Sequence, residues 1–170
     1  CDFSLPLEKS EKGANATFRR DIEAWGSQTR MLYIWDYVTN FAHYLAPFPN
    51  FAVLRENMRF FADHGAIGMY PEGNFNSPKT GEFGELRCYL LAKLMMDPYM
   101  STTEYYQHMY EFLAAYYGAG WRYLRTFIDF TCMEAAANHM KIFDGPFLII
   151  GRDCYEGMAE CIEGWWDKAE

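Results

Sequence analysis

Positive charge is scarce in this chain. Its 170 residues carry 15 Lys+Arg against 23 Asp+Glu, a formal net charge of −8, so no basic stripe exists to hold a phosphate backbone and no nucleic acid is expected as a partner. Long apolar runs are missing as well. Runs such as Phe147 to Ile150 stop far short of the roughly 20 residues a bilayer-spanning helix requires, so no membrane is expected either. The five cysteines, Cys1, Cys88, Cys132, Cys154 and Cys161, form neither a CxxC pair nor a Cys/His cluster, which argues against structural zinc and a disulfide framework. Reduced, mostly buried thiols are expected instead. His43, His64, His108 and His139 include no HExxH pair, and neither a metal nor another cofactor is implied. Nucleophile elbows of the GxSxG type are absent, and Gly118-Ala119-Gly120 joins two helical segments instead of following a strand, so it does not resemble a phosphate cradle. The chain opens at Cys1 with no initiator Met and no signal pattern, and reads as a piece of something longer.

Apolar residues are plentiful: 51% AVILMFWYC supplies a sizeable core for one domain. Aromatics stand out at 19%, with 13 Tyr, 14 Phe and 5 Trp. Most such rings pack cores, but surplus rings also stack on flat ligand faces, sugars among them.

The periodicity divides the chain into an α/β part over residues 1–98 and a helical extension over 99–170 packed on it. Asn15 reads as the cap of a helix carrying Phe18, Ile22 and Trp25, ended by Gly26. Residues 31–38, rich in β-branched and aromatic side chains, read as a parallel strand buried on both faces. After Pro47-Phe48-Pro49, Asn50 is placed to cap a helix with Phe51, Leu54, Met58 and Phe61 on one stripe, and Gly65 to end it. Residues 66–70 form a second short strand. Strand, helix, strand is a βαβ crossover, which joins parallel neighbours. Beyond Glu82 the pattern is helical: Phe83, Leu86, Leu90 and Leu94 share a stripe that stops before Pro98, and Ser101 to Glu104 has the form of a capping box. That box opens a helix with Tyr105, Met109, Phe112 and Tyr116 in register. A long helix over 121–141 and an amphipathic one with Met158, Ile162 and Trp165 complete the extension.

In a parallel sheet the ligand crevice lies at the carboxyl ends of the strands. That places Trp35, Asp36, Tyr37, Asn40, His43 and Tyr44 on one side of the candidate rim and Tyr70, Glu72, Asn74 and Asn76 on the other. Acids, amides and rings together suit carbohydrate: carboxylates and amides pair with vicinal hydroxyls while rings stack on the C–H face of a sugar. Glycoside hydrolysis needs two carboxyl groups, and Asp36 with Glu72 is the candidate catalytic pair, Glu72 as acid with its pKa raised by desolvation and Asp36 ionised. Trp35, Tyr37, Asn40, His43, Tyr44, Tyr70 and Asn74 are the candidate substrate-binding residues. The sequon Asn15-Ala16-Thr17 is too common a pattern to carry weight.

Several segments taken together, Leu32 to Tyr37 with Asn40-Phe41, Pro47 to Asn50, Gly68 to Gly73, Glu82 to Arg87 and Tyr116-Tyr117-Gly118, resemble the C-terminal portion of domain-of-unknown-function family 4838. The resemblance implies the last units of a (β/α)8 barrel like those of glycoside hydrolases of the hexosaminidase and α-glucuronidase type, in glycan-degrading bacteria. Under it, residues 1–5 end a sixth barrel strand, 31–37 form the seventh and 66–70 the eighth, about three parallel strands in all. A whole barrel needs about 250 residues, so the implied partners are carbohydrate and the missing N-terminal barrel portion of a parent chain, with self-association through exposed strand edges as a further expectation. Two functions stay open: the C-terminal part of a glycosidase whose other catalytic groups lie upstream, and a non-catalytic glycan-binding or scaffolding module. A cytoplasmic and a secreted bacterial location are both compatible with the sequence.

Overall fold

The computed structural model describes residues 1–9, 13–74, 81–145 and 158–170. Within them the order is α1 (Ala16–Gln28), β1 (Leu32–Tyr37), α2 (Phe51–Asp63), β2 (Ala66–Glu72), α3 (Gly84–Met96), α4 (Thr102–Tyr117), α5 (Trp121–Asn138) and α6 (Met158–Asp167). β1 and β2 pair in parallel through the crossover helix α2, as the alternation of short apolar runs and a capped helix predicts. The register runs Leu32↔Ala66, Tyr33↔Gly68, Ile34↔Met69, Trp35↔Tyr70, Asp36↔Pro71 and Tyr37↔Glu72, with an irregularity at Ile67. Among the described residues the sheet has these two strands. Residues 1–5 form no strand, so the expected third strand is absent from them.

The strand faces differ from expectation. β1 is not buried on both sides: Ile34 is buried, whereas Tyr33 is 76% exposed and Trp35 66%. A continuous apolar run does not distinguish a strand covered on two faces from one whose second face is lined with rings. The covered face packs on α1 and α2, where Ile34 joins Leu7, Ile22, Phe60 and Phe61. The open face has no helix on it among the described elements.

Most of the remaining core is one cluster shared by both halves of the chain. Leu86, Leu90 and Leu94 of α3 are fully buried with Phe51, Leu54 and Met58 of α2, Tyr105, Met109 and Leu113 of α4, and Leu124, Phe127 and Ile128 of α5. The stripe on α4 is therefore Tyr105, Met109 and Leu113, since Tyr116 is exposed. Ser101 and Glu104 close the capping box in both directions, and Gly65, at φ +88°, ends α2 in the left-handed region that favours glycine. Phe83 also has positive φ, +47°. That conformation costs about 1–3 kcal/mol in a non-glycine residue, and burying its ring beside Phe51, Tyr117, Phe127 and Trp166 offsets a strain of that size.

Three local expectations fail because distant parts of the chain claim the residues: two asparagine side chains are engaged elsewhere, and one glycine serves a close approach. Asn15 makes no cap bond; its Oδ1 accepts from the Asp2 N–H and its Nδ2 donates to the Asp2 carbonyl, so the sequon asparagine is buried. Asn50 makes no cap bond either, its Oδ1 accepting from Arg87 Nε. α1 continues past Gly26 to Gln28, and a Cβ at Gly26 would lie 2.3 Å from the His64 carbonyl, so the glycine serves a close helix approach. Trp25 on the expected stripe is exposed.

α5 stops at Asn138, three residues short of expectation, and His139 turns the chain at φ +60°. The strap that follows binds the start of the chain and the loop after β1. Phe3 N donates to the Met140 carbonyl at 2.8 Å, Phe41 N to the Ile142 carbonyl at 2.8 Å, and Asn40 Nδ2 to the Asp144 carbonyl at 2.7 Å. Buried Asp2 accepts from His139 Nδ1 at 2.8 Å. Cys1, Cys88 and Cys161 are exposed free thiols, not buried ones, and only Cys132 is half-buried; Cys154 and the run 147–150 lie outside the described residues. No helix among the described residues is long and apolar enough to cross a membrane.

The tightest polar knot is Arg87. Its guanidinium, 4% exposed, pairs with Glu82 Oε2 at 2.6 Å and donates to the carbonyls of Glu82 and Phe48 and to Asn50 Oδ1, over the face of Phe51. Removing one partner of a buried pair costs about 3–5 kcal/mol because the other charge is stranded. Arg87→Ala should lose that much in urea denaturation, and Arg87→Lys should not restore it, since an ammonium cannot reproduce the planar fork. An unchanged urea midpoint in Arg87→Ala would refute this role.

Candidate functional site

Strand alternation decides which side chains meet. On the open face stand Tyr33, Trp35 and Tyr37 of β1, opposite Gly68, Tyr70 and Glu72 of β2. Tyr33 lies flat across Gly68: a Cβ there would sit 2.5 Å from Tyr33 Cε1, so the missing side chain lets the ring rest on the neighbouring strand. Trp35 and Tyr70 meet edge to face with centroids 5.2 Å apart. The Trp35 indole N–H donates to Glu72 Oε2 at 2.5 Å. Tyr37 extends the aromatic line edge-on to Phe41 at 4.9 Å, and Phe41 to Tyr44 at 6.0 Å. The strand sequences LYIWDY and AIGMYPE hold two charges, Asp36 and Glu72. Glu72 is the one on the open face.

Asp36 lies on the opposite face. It projects with Ile34 toward α2, beside a cavity of about 10 Å³ shared with Phe3, Asn50, Asn57, Met58 and Phe61, a space that admits no sugar. The pair expected to converge on one crevice is thus split by the sheet, although the two residues do stand at the ends of adjacent parallel strands. The surroundings of Asp36 also differ from expectation. Burial raises the Asp36 carboxyl to about 6, against a smaller opposing effect of the Tyr37 backbone N–H, so the carboxyl expected to stay ionised is the one desolvation pushes toward neutrality.

The other candidates divide in the same way. Asn40 is buried, its Oδ1 accepting from the backbone N–H groups of Ala42 and His43, and it shapes the loop. His43 is exposed beyond it, and Tyr44 is half-buried with its carbonyl accepting from Glu82 N. Asn74 borders a separate cavity of about 420 Å³ between the strand ends and α3, with Thr39, Pro71, Arg87 and Leu91 in its wall. Asn76 lies outside the described residues. The open sheet face, not that cavity, brings together Trp35, Tyr37, Tyr70 and Glu72. Tyr33 is the member that sequence reasoning passed over; the Tyr-x-Trp-x-Tyr spacing of two was its signal. No cluster of three or more metal-ligating side chains occurs among the described residues.

The placement of Asp36 has a thermodynamic signature. Its carboxyl binds a proton more tightly in the fold than in the unfolded chain, so between about pH 4 and pH 6 the native state holds the extra proton and this residue's contribution to stability falls as pH rises. Asp36→Asn removes that penalty. Thermal unfolding should show the variant gaining on wild type from pH 4.5 to pH 7.5, and a difference independent of pH would place Asp36 in water instead.

No curated protein and no solved structure matches the chain. Residues 1–129 match the family described as Domain of unknown function (DUF4838), and the chain belongs to that family.

Proposed function

We propose that this chain supplies the carbohydrate-binding end of a glycoside-hydrolase-like protein, with Glu72 as its acid/base carboxyl. The observation that carries the reading is the open sheet face that lines up Tyr33, Trp35, Tyr37 and Tyr70 with one carboxylate, Glu72, fixed by the Trp35 indole N–H. Rings of this kind hold the C–H side of a pyranose while a carboxylate accepts from its hydroxyls. Proton transfer at the glycosidic oxygen is then within the chemistry of Glu72. Hydrolysis needs a second carboxyl group on the same crevice, and Asp36, behind the sheet, does not fill that role in this reading. The second group belongs to a part of the parent protein outside these 170 residues. On its own the chain binds glycan and does not cleave it.

Calorimetric titration of the chain with soluble oligosaccharides tests the proposal. Wild type should bind at least one glycan class, and Trp35→Ala and Tyr70→Ala should each weaken that binding about tenfold, about 1.4 kcal/mol, while leaving thermal unfolding within a few degrees. Failure to bind any oligosaccharide, or full affinity in both variants, would reject it.

A further inference from the structure

The open face is aromatic and carries charge of one sign. Neither β1 nor β2 contributes a Lys, Arg or His; Glu72 is the charged group among Tyr33, Trp35, Tyr37 and Tyr70. Its carboxylate is held against the indole by the Trp35 N–H. Ring faces attract cations through their quadrupole, and an ammonium group donates charge-assisted hydrogen bonds to a carboxylate. Both attractions are offered by one patch, because the indole stands beside the acid that its N–H holds. A carboxylated or sulfated glycan meets the reverse situation, approaching a lone carboxylate on a chain of net charge −8 with no cation on either strand to receive it.

We infer that this face selects glycans bearing protonated amino groups, such as glucosamine polymers without N-acetyl caps, over neutral and anionic ones. The inference rests on the carbohydrate reading above and narrows it to one charge class. Glu72 supplies the selectivity, and the rings supply the affinity shared by all sugars. N-acetylation removes the ammonium while leaving the pyranose faces for stacking, so it isolates the charge term. Salt should weaken the preference, since the pair is formed at an exposed surface.

The test titrates the whole chain at pH 6 and low salt with glucosamine hexamer, its fully N-acetylated counterpart and a galacturonate hexamer. The amino hexamer should bind at least about tenfold tighter than either of the others. In Glu72→Gln the ratio should fall below about threefold, whereas Glu111→Gln, on an exposed acid of α4, should keep it. Equal binding of the three, preference for the uronate, or a ratio that survives in Glu72→Gln would overturn the charge inference while leaving the carbohydrate reading standing. Binding of none of the three, together with failure of every other glycan class, would overturn both.

Discussion

Arg87 sits where both strands deliver their loops. Its guanidinium holds the Phe48 carbonyl and Asn50 Oδ1 from the loop after β1, and the Glu82 carboxylate and carbonyl from the segment after β2. Because α3 carries the arginine, one side chain ties the exits of both strands to the helix that anchors the main core. Among the described residues Glu82 Oε1 is buried without a hydrogen-bond partner, so the Arg87 pair is the main compensation there for the desolvated carboxylate. Loops this constrained keep the C-terminal ends of β1 and β2 in register without a third strand among the described residues. The strap at 139–144 adds a second tie from Met140 and Ile142 to the backbone of Phe3 and Phe41.

Among the described residues one face of the two-stranded sheet is uncovered, whereas parallel sheets ordinarily bury both faces. Here the covered face takes the aliphatic residues and the open face takes the rings. Tyr33 shields Gly68, and Trp35 and Tyr70 shield each other. Rings with a polar edge tolerate water better than Leu or Ile would at the same positions. In the proposed reading the same arrangement serves as a ligand surface, with Glu72 as its polar anchor. Asp36 pays for the division by being the acid that faces α2, where burial raises its pKa to about 6.

The elements were legible wherever the signal was local. The stripes of α2 and α3, the capping box at Ser101 and the Gly65 stop all follow from spacing within some fifteen residues or less, and the parallel βαβ unit from the order of three such local segments. What the sequence concealed was set by partners far away along the chain. Arg87 meets Phe48 across 39 residues, Asn40 meets Asp144 across 104, and His139 meets Asp2 across 137. Asn15 and Asn50 look like caps because a cap needs only the next three residues, yet Asn15 turns back to Asp2, 13 residues earlier, and Asn50 bonds Arg87, 37 residues on. The site was half readable: the places of Trp35, Tyr37, Tyr70 and Glu72 at the strand ends pointed to them as a group, but the period of two puts them on one sheet face, excludes Asp36 and brings Tyr33 in.

Trp35 reports directly on whether the open face is the ligand face. The chain has 5 Trp, and their indole N–H groups give separate signals in a ¹H–¹⁵N correlation spectrum. On titration with a bound oligosaccharide, the Trp35 indole signal, assigned by its loss in Trp35→Phe, should move most, because its N–H and ring both line the face. The Trp165 and Trp166 signals, from α6 on the far core, should stay in place. A ligand that shifts those two and leaves Trp35 unmoved would contradict the account.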